Sequence, residues 1–135
     1  MYLVDTSVWV DFLRGDETPQ VRALNNLLSG QEIVGTAPMI LQEILQGADS
    51  AERFETWIRY FSDLFCYVPR DPVKSYIAAA RRYQDCRRAG NTPRSSNDCL
   101  IAQIAIENGL TLLHNDRDFN AIASVVEELR LYPAK

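Results

Sequence analysis

The first nine residues, MYLVDTSVW (1–9), place an acid directly after a short apolar run. Residues 2–5, YLVD, are typical of a short buried strand that ends in a carboxylate, and Ser7 is expected to cap a helix over about 8–14. In open parallel sheets, ligands bind beyond the carboxyl ends of the strands, where the connections diverge. Asp5 therefore has the position of a site residue, provided that the rest of the chain forms such a sheet.

The remainder of the chain alternates apolar, strand-like runs with helical stripes, separated by capping and turn residues. Strands are expected at about 2–5, 32–36, 64–68, 110–114 and 127–132. Helices are expected at about 8–14, 18–29, 37–46, from 50 onward, 71–89 and 97–108, with a short helical turn after 115–119. Short strands that are apolar on both faces are typical of a parallel sheet covered by helices on both sides. We therefore predict one α/β domain over residues 1–135, with three layers around a short, mostly parallel central sheet.

Composition limits the class of protein. The chain has 135 residues, of which 47% are hydrophobic. No stretch approaches the roughly 20 apolar residues that a membrane helix needs, and the N-terminus lacks a signal-peptide pattern, so a cytoplasmic location without a membrane partner is expected. The three cysteines are widely spaced and form no CxxC motif, which argues against a disulfide framework or a zinc site. Buried free thiols are expected at Cys66, Cys86 and Cys99.

The formal net charge is −4, but the basic residues are unevenly distributed. Five of the fourteen fall in one window that contains a single acid, Asp85. They are Arg81, Arg82, Arg87, Arg88 and Arg94. The planar fork of Arg suits phosphate groups. By charge alone, this window fits either a solvated helix face or a surface that binds the backbone of a nucleic acid.

Four acids occupy positions that parallel strands would bring to one edge. Asp5 ends the first strand, Asp116 follows the fourth, Asp98 opens a helix after a polar loop, and Glu43 lies at the edge of an apolar helical stripe. Singly, each fits a cap, a turn or a solvated face. Together in one pocket they would repel, and at least one would take up a proton. A divalent cation removes that conflict, and ligation by oxygen alone suits Mg²⁺ or Mn²⁺ better than zinc.

Other catalytic arrangements have few residues available. His114 is the only histidine, so a mechanism that uses two histidines is excluded, and a packed structural role is expected for it. The chain lacks a GxSxG serine elbow and both common Gly-rich phosphate loops. Metal-assisted hydrolysis is the chemistry for which the sequence supplies enough residues.

Three segments carry a resemblance to a known family. They are YLVDTSVWVDFLRG (2–15), ILQEILQG (40–47) and SSNDCLIAQIAIENGLTLLHNDRDF (95–119). In this order and spacing they resemble the PIN-domain ribonucleases, and above all the VapC-type toxins of bacterial type II toxin–antitoxin pairs. The resemblance covers nearly the whole chain and implies a PIN-like fold.

The resemblance also implies a function and a site. It implies a metal-dependent endoribonuclease in which carboxylates hold Mg²⁺ or Mn²⁺, and the bound ion activates water to cut an RNA phosphodiester bond. The acidic quartet of the family falls on Asp5, Glu43, Asp98 and Asp116, of which Asp5 and Asp98 are expected to be the firmest direct ligands. The supporting groups are Thr6, Ser7, Asn97 and, as a fifth acid, Asp118. The implied partners are an RNA substrate, a small cognate antitoxin and a second copy of the chain.

Two alternatives remain open at this point. One is a PIN-like nuclease that processes RNA, which the absence of further modules disfavours. The other is a non-enzymatic receiver-like domain, since such domains also gather acids around Mg²⁺ at strand ends. In that case Asp71, in PRDP (69–72), would imitate the phosphoacceptor, although Lys74 and Lys135 are badly placed for the remaining machinery.

The arginine window generates a first prediction. If Arg87 and Arg88 bind the RNA backbone, replacing both with Gln should flatten the salt dependence of RNA binding by about 0.7 in log–log slope for each phosphate that is no longer bound. The measurement is the dissociation constant for single-stranded RNA over a series of salt concentrations. An unchanged slope would refute the role.

Overall fold

The computed structural model describes residues 1–132 and contains five strands and seven helices. The strands are β1 (Tyr2–Val4), β2 (Val34–Thr36), β3 (Phe65–Cys66), β4 (Thr111–Leu113) and β5 (Arg130–Tyr132). The helices are α1 (Thr6–Arg14), α2 (Pro19–Ser29), α3 (Pro38–Gln46), α4 (Ala51–Ser62), α5 (Pro72–Arg88), α6 (Ser96–Glu107) and α7 (Arg117–Val125). Most elements lie where the sequence predicts them, although the strands are shorter.

The five strands form one sheet in the order β3-β2-β1-β4-β5, and every neighbouring pair is parallel. From β1 the chain moves outward through β2 to β3. It then crosses to the other side of β1, forms β4, and moves outward again to β5. The direction of winding therefore reverses between β1 and β4, which is the switch point where ligands bind in open parallel sheets.

The helices form two groups, one connecting each half of the sheet. Helices α1 to α4 connect β1, β2 and β3 and pack against one another, whereas α5, α6 and α7 follow β3 and β4 and form a second packed group. Because parallel crossovers are right-handed and the winding reverses, the two groups cover opposite faces of the sheet. The predicted three-layer α/β architecture is confirmed.

Burial is most complete along the central strands and α6. Leu3, Val4, Leu112 and Leu113 are inaccessible to solvent, and every residue from Cys99 to Ala105 on α6 is buried. Short central strands that are buried on both faces are the expected result of covering a parallel sheet with two helical layers. The ends of β1 and β4 therefore lie next to the most completely buried part of the core. Within residues 1–132, no helix combines the length and apolarity that crossing a membrane requires.

Three element boundaries differ from the predictions. Asp5, and not Ser7, caps α1, because its carboxylate accepts a hydrogen bond from the Ser7 backbone N–H. Ser95 caps α6, so this helix starts before Asn97. The predicted short turn near residues 115–119 is instead the start of a nine-residue helix, α7. In each case a side-chain oxygen one residue outside the helix satisfies a free N–H of the first turn, which defines the start.

The third strand and its cysteine are more exposed than predicted. β3 is an edge strand with one neighbour, β2, and Phe65 is 59% exposed. The prediction of a buried thiol is therefore wrong for Cys66, which is exposed, and correct for Cys86 and Cys99. Burial raises the pKa of the Cys99 thiol to about 12, as expected for an unreactive side chain in the core.

Gly35 of β2 generates a test of the packing. A Cβ at this position would lie 2.8 Å from the Phe65 carbonyl oxygen and would collide with the Tyr67 ring. Gly35→Ala is therefore expected to lower the free energy of unfolding by about 1–3 kcal/mol, the usual cost of overpacking. Urea denaturation measures the effect. Gly47→Ala is the control, since its Cβ would meet nothing nearer than 3.4 Å, and equal losses for the two variants would contradict the packing described.

Candidate functional site

The predicted acidic residues line one open cleft at the switch point of the sheet. Asp5 directly follows β1, and Asp116 follows β4, whose Leu113 pairs with Val4 of β1. Asp98 comes from the first turn of α6, and Glu43 reaches the cleft from α3. The cleft has a volume of about 400 Å³. Its lining residues are Asp5, Thr6, Ser7, Glu43, Arg94, Ser95, Asp98, Asp116 and Asp118.

Asp5 is fixed by hydrogen bonds from the start of α1. Its Oδ2 accepts from the Ser7 backbone N–H at 3.0 Å and from the Ser7 hydroxyl at 2.7 Å. The same hydroxyl accepts from the Asn115 backbone N–H at 2.9 Å, so Ser7 connects the ends of β1 and β4. Asp5 is 5% exposed, and burial raises the pKa of its carboxyl despite these hydrogen bonds.

Glu43 is oriented by the neighbouring helix. The Thr6 hydroxyl donates a hydrogen bond of 2.6 Å to Glu43 Oε1, which links the first turn of α1 to α3. Thr6 and Ser7 therefore each hold one carboxylate of the cleft. Their positions agree with the supporting role that the sequence predicts for both residues, and that role stays a prediction.

Three further carboxylates form the tightest acidic cluster. One carboxylate oxygen from each of Asp98, Asp116 and Asp118 lies within 4.8 Å of the others. Asp116 caps α7 by accepting from the Asp118 backbone N–H at 2.9 Å. Burial, followed by the charges of Asp116, Asp5, Asp118 and Glu43, raises the pKa of Asp98 to about 7. The repulsion expected from the sequence is thus present and is concentrated on Asp98.

This cluster fits a divalent cation. It is the one group of three or more His, Cys, Asp or Glu side chains in residues 1–132 that converge closely enough to share an ion. All of its donor atoms are carboxylate oxygens, which suit Mg²⁺ and Mn²⁺. A positive charge among Asp98, Asp116 and Asp118 would also offset the burial and the repulsion that together raise the pKa of Asp98. Asp5 and Glu43 line the same cleft, and their direct ligation remains a prediction.

Arg94 is the cation that the structure places in the cleft. Its Nε donates to Asp118 Oδ2 at 2.9 Å, and its Nη2 donates to Asp116 Oδ1 at 3.0 Å. Its backbone N–H also donates to Asp118, at 3.2 Å. Burial alone would raise the pKa of Asp118, but the hydrogen bonds and charge of Arg94 lower it overall.

The other arginines of the basic window lie outside the cleft lining. Arg82 donates to Gln103 at 3.3 Å and lies 3.6 Å from the Glu128 carboxylate, and Arg88 pairs with an acid one turn earlier on α5. Arg81 and Arg87 are exposed, and neither forms an ion pair within residues 1–132. RNA binding by these residues stays a prediction.

Asn97 does not join the acids, contrary to the expectation from the sequence. It is exposed and lines a separate groove between α5 and α6, next to Tyr76 and Tyr83. Successive residues of an α-helix point about 100° apart, so the helix that turns Asp98 toward the cleft turns Asn97 away from it. The Asn-Asp pair in the sequence does not reveal this difference.

Two further residues near the cleft were not predicted as site residues. The Asn115 side chain donates to Asp11 at 3.4 Å, in addition to the bond from its backbone to Ser7. His114 has the packed position that the sequence predicts: it is 8% exposed, and its Nδ1 accepts from the Asp116 backbone N–H at 3.1 Å. Burial lowers the pKa of His114, which favours the neutral ring that this acceptor role needs. In the sequence, the only feature that places His114 and Asn115 near the site is their position between the fourth strand and Asp116.

The position of Asp71 excludes the receiver-like alternative. Asp71 caps α5, and the adjacent Arg70 backbone donates to Glu107 at the last residue of α6. Asp98 lies in the first turn of α6, so Glu107 is about 14 Å away along the helix axis at 1.5 Å per residue. Asp71 therefore lies toward the opposite end of α6 and is not among the residues that line the acidic cleft.

The parallel sheet and the acidic cleft at its switch point are those of a PIN domain, and the model of that family, described as PIN domain, matches residues 2–125. Two curated relatives are the VapC ribonuclease Mb1587 of Mycobacterium bovis and ribonuclease VapC11 of Mycobacterium tuberculosis. The chain is 37% identical to each over 126 residues, which cover 93% of this chain and 93% of each relative. The chain therefore belongs to the PIN-domain family and, within it, to the VapC ribonucleases.

Solved structures support the same fold. VapBC2 from Rickettsia felis, bound to a promoter DNA fragment, matches with a TM-score of 0.74 and 20% identity over 96% of both chains. DNA-bound VapBC from Salmonella typhimurium matches with a TM-score of 0.70 and 21% identity, over 96% of this chain and 95% of that one. VapC20 of Mycobacterium tuberculosis is described as a sarcin-ricin loop cleaving toxin. It matches with a TM-score of 0.64 and 16% identity, over 90% of this chain and 94% of that one.

The raised pKa of Asp98 generates a prediction about stability. The folded protein holds this proton up to about pH 7, whereas the usual pKa is 3.8, so the folded state binds more protons between these values. Stability that derives from this proton is present at low pH and is lost as the pH rises from about 4 to 7. Asp98→Asn, which cannot ionise, should therefore raise the melting temperature by several degrees more at pH 8 than at pH 4.5.

Thermal denaturation in EDTA at the two pH values measures this difference. Asp63→Asn is the control, because Asp63 is an exposed carboxylate at the end of α4, outside the cleft. A gain for Asp98→Asn that is equal at both pH values would show that the proton on Asp98 does not contribute as described.

Proposed function

We propose that the chain is a single PIN domain that acts as a metal-dependent endoribonuclease, the toxin of a toxin–antitoxin pair. The observation that carries the proposal is the convergence of acidic side chains at the switch point of the sheet, in a chain 37% identical to curated VapC ribonucleases. In this proposal Asp5, Glu43, Asp98 and Asp116 form the catalytic, metal-holding quartet. The proposed substrate is RNA, and the proposed location is the cytoplasm.

The residues of the cleft have distinct tasks in this reaction. A divalent cation, when bound, activates water and neutralises charge on the phosphate. Asp98 and Asp116 supply oxygen ligands at the centre of the cleft, together with Asp118. Thr6 and Ser7 hold their carboxylates in fixed orientations, so less reorganisation is needed when charge develops on the phosphate.

Asp98 connects metal binding to proton release in this proposal. A carboxyl group with a pKa of about 7 is partly protonated near neutral pH. It must lose that proton to serve as an anionic ligand, so metal binding should be weaker in acid and should release protons at neutral pH. At a limiting concentration of the ion, the activity should therefore fall as the pH drops below about 7.

The metal is Mg²⁺ or Mn²⁺ in this proposal. The donor set of carboxylate oxygens supports both ions and disfavours zinc, which prefers nitrogen and sulfur ligands. Cleavage measured in EDTA-treated protein after the addition of each ion separately distinguishes them.

The proposed partners are a small antitoxin and a second copy of the chain. Among the solved structures with this fold, one is described as a toxin-antitoxin complex from Klebsiella pneumoniae. An Arg or Lys of an antitoxin would complement the acidic cleft by charge-assisted hydrogen bonds. The exposed apolar side chains of α5 support a homodimer, since Val73, Tyr76 and Ile77 are each at least half exposed.

Replacement of Asp5 tests the proposed activity. Wild type, Asp5→Asn and Asp16→Asn are expressed in cells, and the newly formed RNA ends are sequenced. Wild type should arrest growth and produce discrete cuts. Asp5→Asn should reduce cutting by more than about 100-fold, because even groups that only orient metal ligands typically cost 10–100-fold.

Asp16→Asn is the control, because it makes the same chemical change as Asp5→Asn at a position outside the cleft. Asp16 is an exposed acid just after α1 and does not line the cleft, so this variant should cut RNA like the wild type. Cuts that persist in Asp5→Asn, or cleavage by purified protein that is indifferent to EDTA, would rule out the proposed mechanism. The positions of the cuts identify the RNA.

A further inference from the structure

Arg94 contributes a positive charge to a cleft lined mainly by acids. Of the residues 1–132 that line the cleft, five are acids and one is basic. The acids are Asp5, Glu43, Asp98, Asp116 and Asp118, and the basic residue is Arg94. Its guanidinium does not sit between helices as a buried clamp would, because the side chain is 67% exposed. It contacts two acids through two different nitrogen atoms. The guanidinium is therefore held in the cleft by its contacts with these two acids and is otherwise open to solvent.

The carboxylates that Arg94 contacts are also those of the candidate metal cluster. Asp116 and Asp118 contribute two of its three converging carboxylates. Asp116 Oδ1 already accepts from both the Arg94 guanidinium and the Asp118 backbone N–H, and Asp118 Oδ2 accepts twice from Arg94. A divalent cation among these oxygens would compete with the guanidinium for their lone pairs and would repel its charge. The repulsion between the two cations would therefore weaken the hold of Asp116 and Asp118 on the guanidinium.

We propose that Arg94 exchanges partners: metal binding at Asp116 and Asp118 displaces its guanidinium, which then binds a phosphate of the RNA. The inference rests on the proposed function, since it concerns the same cleft. It differs from general backbone binding by the basic window, because it makes the contribution of Arg94 to RNA binding conditional on the metal.

The local structure permits this exchange. The backbone N–H of Arg94 donates to Asp118, and the preceding Pro93 is buried, so the loop stays in place when the guanidinium leaves. Only rotations of an exposed side chain are required. The planar fork of Arg matches phosphate oxygens as well as carboxylate oxygens, so the released group has an equivalent partner in the substrate.

The first test measures Mn²⁺ binding to the full chain without RNA, from the electron paramagnetic resonance signal of free Mn²⁺. Arg94→Gln removes the competing charge, so it should bind Mn²⁺ about three- to tenfold more tightly than the wild type, the effect expected from the loss of two exposed ion pairs. Arg94→Lys retains the charge without the fork and should fall between them. Arg87→Gln is the control, because it removes the same charge from an exposed site on α5 that lies outside the cleft lining.

The second test measures RNA binding, with fluorescence anisotropy of a 2′-O-methyl oligouridylate 12-mer over a range of salt concentrations. With Mn²⁺ present, the log–log salt slope of Arg94→Gln should be about 0.7 shallower than that of the wild type, which corresponds to one fewer phosphate bound on a single strand. In EDTA the two slopes should be equal. Any change caused by Arg87→Gln should be the same with and without Mn²⁺.

The outcomes separate the inference from the proposed function. If the wild type binds Mn²⁺ and Arg94→Gln binds it equally or more weakly, Arg94 is a structural link between the residue 89–95 loop and α7, and the inference is overturned. A slope difference that persists in EDTA overturns it as well. If the wild type binds no Mn²⁺ and Mg²⁺ leaves its melting temperature unchanged, the proposed function fails and the inference fails with it. Thermal denaturation of each variant confirms folding, and Arg94→Lys preserves the test should Arg94→Gln be unfolded.

Discussion

Repulsion between carboxylates at the carboxyl ends of β1 and β4 is the constraint on which the rest of this structure depends. The sheet order makes β1 and β4 neighbours, so the acids that follow them, Asp5 and Asp116, lie in the same cleft. Several contacts offset this negative charge. Asp5 is buried and hydrogen-bonded to Ser7, the Thr6 hydroxyl satisfies Glu43, and Arg94 pairs with two acids. Helix geometry contributes as well, because α1, α6 and α7 all begin at the cleft, and the N-terminal end of a helix favours negative charge.

These devices do not neutralise every acid. Within residues 1–132, no hydrogen bond or ion pair contacts the Asp98 carboxylate, whereas the other four acids of the cleft each have a partner. Burial, together with the four neighbouring acids, raises the pKa of Asp98 to about 7. A site that served only folding would have no use for this charge, because Ser95 already caps α6 and the Asp98 carboxylate accepts none of the free N–H groups of the helix. Retaining an acid there makes sense when a cation is to be bound, since affinity for the ion then offsets the cost to the free protein.

The sequence was sufficient for the features set by local chemistry and strand direction. Apolar runs between helical stripes predicted a parallel sheet, and the direction of its strands placed Asp5 and Asp116 at one edge. Features that depend on the phase of a helix or on order within the sheet were not accessible in this way. The resemblance grouped Asn97 with Asp98, and the sequence alone does not show which of two adjacent residues, about 100° apart on a helix, faces the cleft. The run LFCYV resembles the other strands, but the crossover from β3 to β4 leaves β3 at the edge, so Cys66 is exposed.

The geometry of the cleft is set by the hydrophobic register beneath it. Leu3 pairs with Leu112 and Val4 pairs with Leu113, and all four side chains are inaccessible to solvent. Because side chains alternate along a strand, a slip of one residue would exchange the faces of the sheet and move the acid out of line with the end of β4. Burying these aliphatic side chains thus does more than stabilise the fold. It fixes the relative positions of the acids that follow β1 and β4, so the precision of an exposed, highly charged site derives from the least polar part of the molecule.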